Sequence, residues 1–430
     1  MAQRSYSSFE RRVARILEAT PAVRNGLKWV YHRMNYLVHR EPGFRFAVHR
    51  DVGILTVADW VGTSLGDVDY FFGYYDKTPW FADMQQLVMH RLTGGEVDIL
   101  VCDRRRKIVR VVGKTKVWNY QQGSMAQWLP CRREPTVIYN DLCGRDLVAR
   151  IVELDGEART VPFPIQVVHP RRPEALSLNY KRLMWLRPDY GYTPPVANFD
   201  VRQDVTRDGI WWMDLQTGAV RLIISLARLM ETEPRVEMVG SDHKVNHALY
   251  SPEGTRFVFL HRWFGPKGKF SRLYVADPNG ENLRILLDHR MVSHYNWLDE
   301  DHLLVWGRTV EQGDRYYLID VRTGERSIVG DGVLNSYGDG HPSYSPDRRW
   351  IVTDTYPDKA RQRTLLLYEV ETGRCIEIGR FFAPWTFDGT RRCDLHPRWS
   401  PDGRLISIDS AHDGRRRSYL LDVSAIVGRQ

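Results

Sequence analysis

The chain has 430 residues, 43% of them hydrophobic, and its 61 Lys and Arg outnumber its 53 Asp and Glu to give a formal net charge of +8. This composition is typical of a folded globular protein and excludes wholesale disorder. The five cysteines are scattered without a Cys-x-x-Cys pair, which excludes a disulfide framework and favours a reducing compartment. No secretory signal opens the chain and no run of about 18 apolar residues occurs, so we expect a cytoplasmic protein without an integral membrane segment.

The basic isoelectric point of about 9.2 predicts a polyanionic partner. The basic residues form neither a tail nor a basic helix, and the short runs at 104–107 and 415–417 are explained as well by solvated turns. We therefore expect no nucleic acid. An acidic oligo- or polysaccharide is an equally suitable polyanion.

The first forty residues are the only convincingly helical part of the chain. Apolar residues recur there at helical spacing, at Phe9, Val13, Ile16 and Leu17. Pro21 ends or kinks that helix, and a second amphipathic segment follows at 23–38. We predict a helical appendage over residues 1–42. The basic polar face of the second segment suits either a membrane surface or, as is commoner for such helices, packing on its own domain.

Beyond residue 46 the pattern changes to short β runs between turns, and an internal repeat emerges. Four segments each begin with His, carry an aromatic residue three positions later and end in a turn signal, at 247–254, 294–301, 341–348 and 396–403. Their histidines are 47, 47 and 55 residues apart, and a β run follows each. A repeat of this length is typical of a β-propeller blade.

We call the first position of each repeat, which the four histidines occupy, its anchor. Three weaker anchors occur earlier in the chain, at Lys77, Met125 and Val168. Seven anchors predict an all-β fold, a seven-bladed β-propeller over residues 43–430, with a six- or eight-bladed ring as the alternative because the first three anchors are degenerate. About thirty extra residues before the fourth anchor, including 187–202, predict a long loop over one face. The C-terminal strand at 419–423 is expected to close the first or last blade.

Equivalent repeat positions in a propeller meet around one end of the central channel. Four consecutive blades place imidazole at this position, at His247, His294, His341 and His396. Any one of them alone is explained as a structural histidine that bonds between blades. Four in a row favour a functional site, because imidazole is a common metal ligand and a base near neutral pH.

Other candidate residues surround this position. Asp394, two residues before His396, could complete a His/carboxylate metal set, and His243 could reach the same end if the chain turns. The residues that flank equivalent strand ends are Arg262, Tyr356, Arg392, Tyr74, Tyr75, Asp76 and Lys77. Their cations would neutralise a substrate carboxylate and their aromatic rings would stack on sugars. The sequence contains no P-loop, HExxH or Rossmann motif.

The segments 242–263, 292–297, 338–358 and 393–413 resemble the oligogalacturonate lyase family, within a match over about 239–423. The resemblance implies a seven-bladed propeller, a histidine base and a divalent metal, manganese, held largely by histidines. By position, His247 corresponds to the base, His294 to the first metal ligand and His396 to a last-blade ligand. The family supplies a Gln and two His in that blade, whereas residues 391–396 hold a single His, so Asp394 and His341 would complete the set.

Two other groups share parts of this pattern. Propeller polysaccharide lyases that act on glucuronate with a His/Tyr pair are an alternative relative. Propeller repeats of the TolB type carry the same Ser-Pro-Asp-Gly turn without enzymatic activity.

These residues predict β-elimination on a uronate-containing glycan, the reaction of a carbon–oxygen lyase. The uronate carboxylate is neutralised by metal on the histidines or by Arg262 or Lys77, His247 removes the C5 proton, and Tyr356 or water protonates the departing oxygen. The residues assigned to substrate binding are Tyr75, Asp76, Arg392 and His243. The alternatives are a non-catalytic propeller that binds acidic polysaccharide or a protein partner, and metal-assisted hydrolysis.

Overall fold

Seven antiparallel sheets form a seven-bladed β-propeller in the computed structural model, which describes residues 21–200 and 204–428. The predicted seven-bladed ring is therefore confirmed. The predicted helical segment at 9–17 lies outside the described residues.

The strands of the first three blades precede the histidine-bearing repeats. They are β3 to β6 (Tyr70–Phe71, Gln86–Thr93, Glu96–Asp103, Ile108–Thr115), β7 to β10 (Gln127–Trp128, Thr136–Cys143, Asp146–Glu153, Ala158–Val161) and β11 to β14 (Val167–Val168, Glu174–Leu178, Gly209–Asp214, Val220–Ser225). The innermost strand of each blade comes first in the chain, and each later strand pairs with the one before it. This order places the starts of the inner strands around the channel.

The remaining four blades follow the same order. Their strands are β15 to β18 (Asp242–Tyr250, Phe257–Gly265, Gly268–Ala276, Arg284–Leu287), β19 to β22 (Val292–Trp297, His302–Thr309, Gly313–Asp320, Arg326–Val329), β23 to β26 (Ser343–Tyr344, Trp350–Asp354, Gln362–Glu369, Cys375–Phe382) and β27 to β29 (Arg398–Trp399, Leu405–Ser410, Arg417–Asp422). The C-terminal strand β29 therefore lies in the last blade.

Two N-terminal strands complete the last two blades. Strand β1 (Phe46–Val48) pairs with β26 as a fifth strand of the sixth blade, and β2 (Gly53–Thr56) pairs with β29 as the outermost strand of the seventh. The seventh blade thus combines both ends of the propeller. A ring closed in this way leaves no unpaired strand between its first and last elements.

The helix α1 (Pro21–His39) contacts the outer side of the sixth blade. Tyr36 packs against Phe382 and Trp385, with ring centroids 6.0 and 5.8 Å apart, and the Arg33 guanidinium lies 4.3 Å from the Trp385 ring. This contact agrees with packing on its own domain. Trp29 on the same helix is 60% exposed. Within the described residues, none of the helices is both long and apolar enough to cross a membrane.

The core lies between neighbouring blades rather than in one central cluster. Trp350 and Leu365 of the sixth blade pack with Ile406 and Leu421 of the seventh, and similar buried clusters join the other neighbouring blades. The alternation of strand side chains explains this arrangement, because both faces of each blade meet a neighbour.

The third blade carries the extra residues predicted from the repeat spacing. They lie between β12 and β13 and include the helix α2 (Tyr180–Leu186), capped by the Asn179 side chain, and a 3₁₀ turn at Pro188–Tyr190. The insertion brings Asp189 and Tyr190 to the histidine-bearing end of the channel, where both contact Arg392.

Two histidines outside the repeat position act as struts between blades. In the first blade His90 donates from Nδ1 to the carbonyl of Phe72, and its Nε2 accepts from the backbone N–H of Ser124 beside the second blade, at 2.9 and 3.0 Å. Gly123 (φ +58) leaves room for this ring, because a Cβ there would lie 2.1 Å from it. His169 of the third blade similarly bonds to the carbonyl of Gly254 in the fourth at 3.1 Å.

We expect the protein to lose stability in acid partly through His90. Burial lowers the pKa of His90 to about 4, from about 6.5 for an unperturbed histidine. Below pH 6.5 this histidine is therefore protonated in the unfolded chain but not in the folded protein. The free energy of unfolding falls by about 3 kcal/mol as the pH drops from 6.5 to 4. Denaturant unfolding of wild type and His90→Gln across this range should give a shallower pH dependence for the variant. The partly exposed His302→Gln serves as control and should retain the wild-type slope, and an equally steep slope in His90→Gln would contradict the assignment.

Candidate active site

Four histidines meet at one end of the channel, and we call His247, His294, His341 and His396 the histidine rim. They come from the fourth to the seventh blades and are 2–6% exposed. Ring centroids lie 4.3 Å apart between His294 and His341 and 4.4 Å apart between His341 and His396. The repeat therefore brings together residues that are far apart in sequence.

The backbone at two of these positions is left-handed. His247 has φ +55 and His396 has φ +47, and Met125, at the matching position of the second blade, has φ +59. At His247 the pairing of β15 with β16 shifts register between Asn246 and Leu249, as in a β-bulge. A bulge re-aims the side chain it carries, and positive φ is an unfavourable conformation for residues other than Gly.

Three rim histidines are held through Nδ1. His294 Nδ1 donates to Asp339 at 2.9 Å and His341 Nδ1 donates to Asp354 at 2.7 Å. His396 Nδ1 donates to the carbonyl of Gly73 at 2.9 Å. The Nε2 atoms of His341 and His396 are buried and have no hydrogen-bond partner in the described part of the chain. A ring nitrogen anchored on a carboxylate with the other left open is the arrangement typical of metal-ligating histidine.

The open histidine atoms lie next to a buried carboxylate. Ligand atoms of His341, Asp394 and His396 are all within 4.8 Å of one another. Three of the four predicted metal ligands are thus adjacent, and the fourth, His294, lies beside His341 with the two ring planes tilted by 50°. These residues fit a divalent cation, because two unpartnered imidazole nitrogens and a carboxylate form a mixed N/O donor set.

Two arginines hold the carboxylate of Asp394. Arg363 Nη2 donates to Oδ1 at 2.9 Å and Arg392 Nε donates to Oδ2 at 2.6 Å. Burial would raise the pKa of Asp394, but these cations hold it well below its usual value. The carboxylate is therefore ionised and keeps free lone pairs for a cation, although its Oδ2 also accepts the hydrogen bond from Arg392.

His247 has a different environment from the other rim histidines. Its Nδ1 is buried without a partner among the described residues, its ring stacks on Tyr74 at 4.9 Å, and the edge of Tyr190 lies 5.0 Å away. Burial and the nearby Arg262 hold the pKa of His247 well below its usual value. At neutral pH this imidazole is uncharged and able to accept a proton.

Tyrosines cover the rim. Tyr74 makes ring contacts with all four rim histidines. The Tyr75 hydroxyl donates to the carbonyl of Tyr295 and accepts from its N–H, at 2.8 and 2.9 Å, and so joins the first blade to the fifth. Tyr356 is 40% exposed, and its ring lies 5.9 Å from His341. Burial of its hydroxyl, with Asp339 and Asp394 nearby, raises the pKa of Tyr356 well above its usual value.

The predicted cations differ in how they are paired. Lys77 Nζ bonds to both carboxylate oxygens of Asp76, at 2.8 and 2.9 Å, and both side chains are buried, so these two charges neutralise each other. Arg262 donates from Nη2 to the carbonyl of Val292 at 3.2 Å, and its Nε has no partner within the described ranges. Arg392 links Asp394 to Asp189 of the insertion at 2.6 and 2.7 Å.

His243 lies apart from the histidine rim. Its Nδ1 is 2.9 Å from Nε2 of His261, and its ring stacks with those of His261 and Trp263. The chain does turn between the two histidines, at the bulge beside His247, but it carries His243 to a neighbouring buried cluster. Both of its ring nitrogens have partners there, because Nε2 lies 3.3 Å from the carbonyl oxygen of Met238.

Several residues of the site were not identified from the sequence. Asp339 precedes His341 by two residues, the spacing that singled out Asp394 before His396, so the same signal could have found it. Asp354, at the end of β24, and Arg363, on β25, gave no local signal. Asp189 and Tyr190 lie in the insertion. The repeat spacing gave the length of this insertion but not the path of its backbone.

The fold and the histidine rim together define a seven-bladed propeller with a candidate catalytic and metal site at one end of its channel. No family model matches the chain. Among solved structures it is similar to an oligogalacturonate lyase from Vibrio parahaemolyticus, with a TM-score of 0.60 and 14% identity over 88% of this chain and 96% of that one. An oligogalacturonate lyase in complex with manganese also gives 0.60, with 16% identity over 88% and 97% of the two chains. The resemblance inferred from the repeat residues is thus confirmed at the level of the fold.

Propellers of other activities are also similar. A puromycin-hydrolysing peptidase from Mycobacterium tuberculosis gives a TM-score of 0.50 with 13% identity, over 86% of this chain and 53% of that one. Function must therefore be argued from the site rather than from the fold.

We expect purified protein to bind a divalent cation at His341 and His396. His341→Ala and His396→Ala should each abolish stoichiometric manganese, measured by elemental analysis after equilibration with the ion, because each removes a ligand whose Nε2 is open. His169→Ala is the matched control: it removes a buried strut histidine and should lower thermal stability while leaving metal content unchanged. Full metal content in the double variant His341→Ala/His396→Ala would contradict this site.

Proposed function

We propose that the protein is a lyase that cleaves a uronate-containing acidic glycan by β-elimination. The observation that carries the proposal is that two groups of side chains share one rim. Two open imidazole nitrogens beside a buried carboxylate suit a metal, and a third imidazole, uncharged and unpartnered, suits a base. No water and no nucleophile are needed for elimination. The carboxylates at the rim, Asp339, Asp354 and Asp394, are engaged by histidine or arginine side chains, so none of them is assigned as acid or nucleophile.

We propose His341, His396 and Asp394 as metal ligands, with His294 adjoining. A divalent cation, manganese for preference, would supply there the positive charge that polarises the uronate carboxylate and acidifies its C5 proton. Thiolate is not offered, because burial raises the pKa of Cys393 to about 11 and keeps the thiol protonated. A donor set of imidazole and carboxylate accepts manganese.

We propose His247 as the base that removes the C5 proton, through the unpartnered Nδ1. A substrate carboxylate beside it would raise the low pKa of this imidazole and so strengthen it as a base when substrate is bound. The C–H electron pair becomes the C4–C5 double bond, the C4–O bond breaks, and the departing oxygen takes a proton. Tyr356 is the candidate donor, because its raised pKa keeps the hydroxyl protonated.

The cations at the rim have separate roles in this proposal. Arg262, whose Nε has no partner among the described residues, is the candidate to bind an anionic group of the substrate directly. Lys77 is neutralised by Asp76, so the two act together as polar contacts rather than as a free charge. Arg392 positions Asp394 and ties it to the insertion, and Tyr75 shapes the floor of the site.

A non-catalytic propeller that binds acidic polysaccharide or a protein partner is the second candidate. One observation favours it: Tyr74 is 3% exposed and contacts all four rim histidines, so the rim is closed to solvent. In such a protein the histidines serve to hold the tyrosines, and binding occurs outside the rim.

We expect acidic oligosaccharides incubated with protein and manganese to yield unsaturated uronate, followed by its ultraviolet absorbance. His247→Ala should lower the rate by about 10²–10⁴-fold, the usual contribution of a general base, while manganese content stays at the wild-type level. His302→Ala, at the start of β20 and at the opposite end of the fifth blade from His294, is the control and should retain full activity. The absence of unsaturated product across a broad panel of uronate glycans would refute the lyase, and saturated products would indicate hydrolysis.

A further inference from the structure

Lys244 is a fully buried lysine without a hydrogen-bond partner. It lies on the inner strand β15 of the fourth blade, is 0% exposed, and its Nζ meets no acceptor in the part of the chain that the structure describes. The Phe264 ring lies 5.4 Å from its Nζ. Burying an ammonium group in this way is costly unless something else compensates it.

A second cation lies directly opposite. Lys244 and Arg262 are register partners on β15 and β16 and therefore project from the same face of the sheet. The Nε of Arg262 is also without a partner among the described residues. Like charges opposite each other destabilise a sheet, so this pair is not explained by the fold's own stability.

The nearby charges do not neutralise this pair. Burial is the largest cause that lowers the pKa values of Lys244 and Arg262. Arg187 of the insertion, a third nearby cation, lowers both further. Asp189 is the nearby anion, but its two oxygens are engaged by Arg187 and Arg392 at 2.8 and 2.7 Å. The region around Lys244 thus has an excess of positive charge.

The other buried cations in the described part of the propeller have hydrogen-bond partners. Arg182 bonds to Asp208, and Arg272 bonds to Asp288, at 2.5 and 2.6 Å between the side chains. Arg416, which has no carboxylate partner among the described residues, donates instead to the backbone carbonyls of Tyr120, Arg391 and Arg392. Lys244 departs from this pattern, and a buried cationic side chain without any hydrogen-bond partner points to a ligand that supplies the missing anion.

Asn246 adds neutral donors and acceptors at the same place. It follows Lys244 by two residues on β15, so the two side chains share a face, and it is 2% exposed. Both its amide nitrogen and its amide oxygen are unpartnered within the described chain. Arg262 and Arg187 are only partly buried and connect this position to solvent.

We propose that Lys244, Asn246 and Arg262 form an oxyanion-binding site beside the histidine rim, which takes a carboxylate, sulfate or phosphate group of the substrate. The proximity of Arg262 to His247 puts this group next to the sugar on which the base acts. The substrate therefore carries an anionic substituent in addition to the carboxylate that the metal polarises. The assignment of the anion to a glycan rests on the proposed function, whereas the anion site itself does not.

Anion binding is tested directly with inorganic sulfate. Thermal unfolding and titration calorimetry of wild type compare sodium sulfate with sodium chloride at equal ionic strength. Sulfate should raise the unfolding midpoint beyond the effect of chloride. Lys244→Met should weaken sulfate binding by at least about tenfold, the loss of a charge-assisted contact, and should raise the midpoint of the sulfate-free protein because a buried unpaired charge is removed.

Matched variants separate this effect from general loss of charge. Lys267→Met removes an exposed lysine from the same blade and should leave both the sulfate affinity and the midpoint unchanged. If Lys244→Met fails to fold, Lys244→Gln takes its place and should also lose sulfate binding. Equal stabilisation of wild type by sulfate and chloride, or unchanged sulfate affinity in the Lys244 variants, would overturn the site.

The source of the anion follows from a second titration with D-glucuronate. Tighter binding of glucuronate assigns the site to a neighbouring uronate, and tighter binding of sulfate assigns it to an ester substituent; binding of neither overturns the proposal. Sulfate binding that depends on Lys244 in a protein without lyase activity would refute the proposed function and leave the anion site standing. Lyase activity in a protein whose sulfate affinity is unchanged by Lys244→Met would refute the anion site and leave the proposed function standing.

Discussion

The carboxylate of Asp354 joins the sixth and seventh blades at the channel. Its Oδ1 accepts from the backbone N–H and from Nδ1 of His341, at 2.9 and 2.7 Å, and its Oδ2 accepts from the backbone N–H of His396 at 3.2 Å. Asp354 is 1% exposed, so these bonds are not weakened by solvent. One side chain thus sets the tautomer of one candidate ligand and the backbone of the other, and the convergence of their open nitrogens depends on it.

A second carboxylate has the same role where the ring closes. Asp409 of the last blade accepts from the backbone N–H groups of Phe72 and Gly73, at 3.2 and 3.0 Å. Gly73 has φ +130, and a Cβ there would lie 2.9 Å from the backbone of Gln122, so this close approach requires glycine. The next residue, Tyr74, enters the rim. Closure of the propeller therefore also brings the tyrosine cover against the histidines.

The two parts of the rim differ in charge. The sixth and seventh blades supply the buried carboxylates of Asp354 and Asp394, whereas the fourth supplies Lys244 and Arg262. A cation is favoured beside Asp354 and Asp394, and an anion is favoured beside Lys244 and Arg262. His247 belongs to the cationic part, so burial and then the nearby Arg262 lower its pKa. A substrate with acidic groups would extend from the cationic part to the anionic part. This division links the proposed metal, base and anion site in one arrangement.

The sequence by itself determined the blade repeat, the seven-bladed ring and the meeting of four histidines, because these follow from local turn signals and from equivalent positions in the repeat. Asp394 was also predictable, from its spacing to His396. Only the tertiary structure decided how each side chain is paired. It directed His243 to His261 and neutralised Lys77 with Asp76, although the sequence had made both residues candidates for the site, and it left Lys244, which the sequence did not single out, without a partner among the described residues. Those outcomes depend on how each side chain is oriented, for example beside the bulge at His247, whereas a propeller repeat specifies only which strand positions lie together.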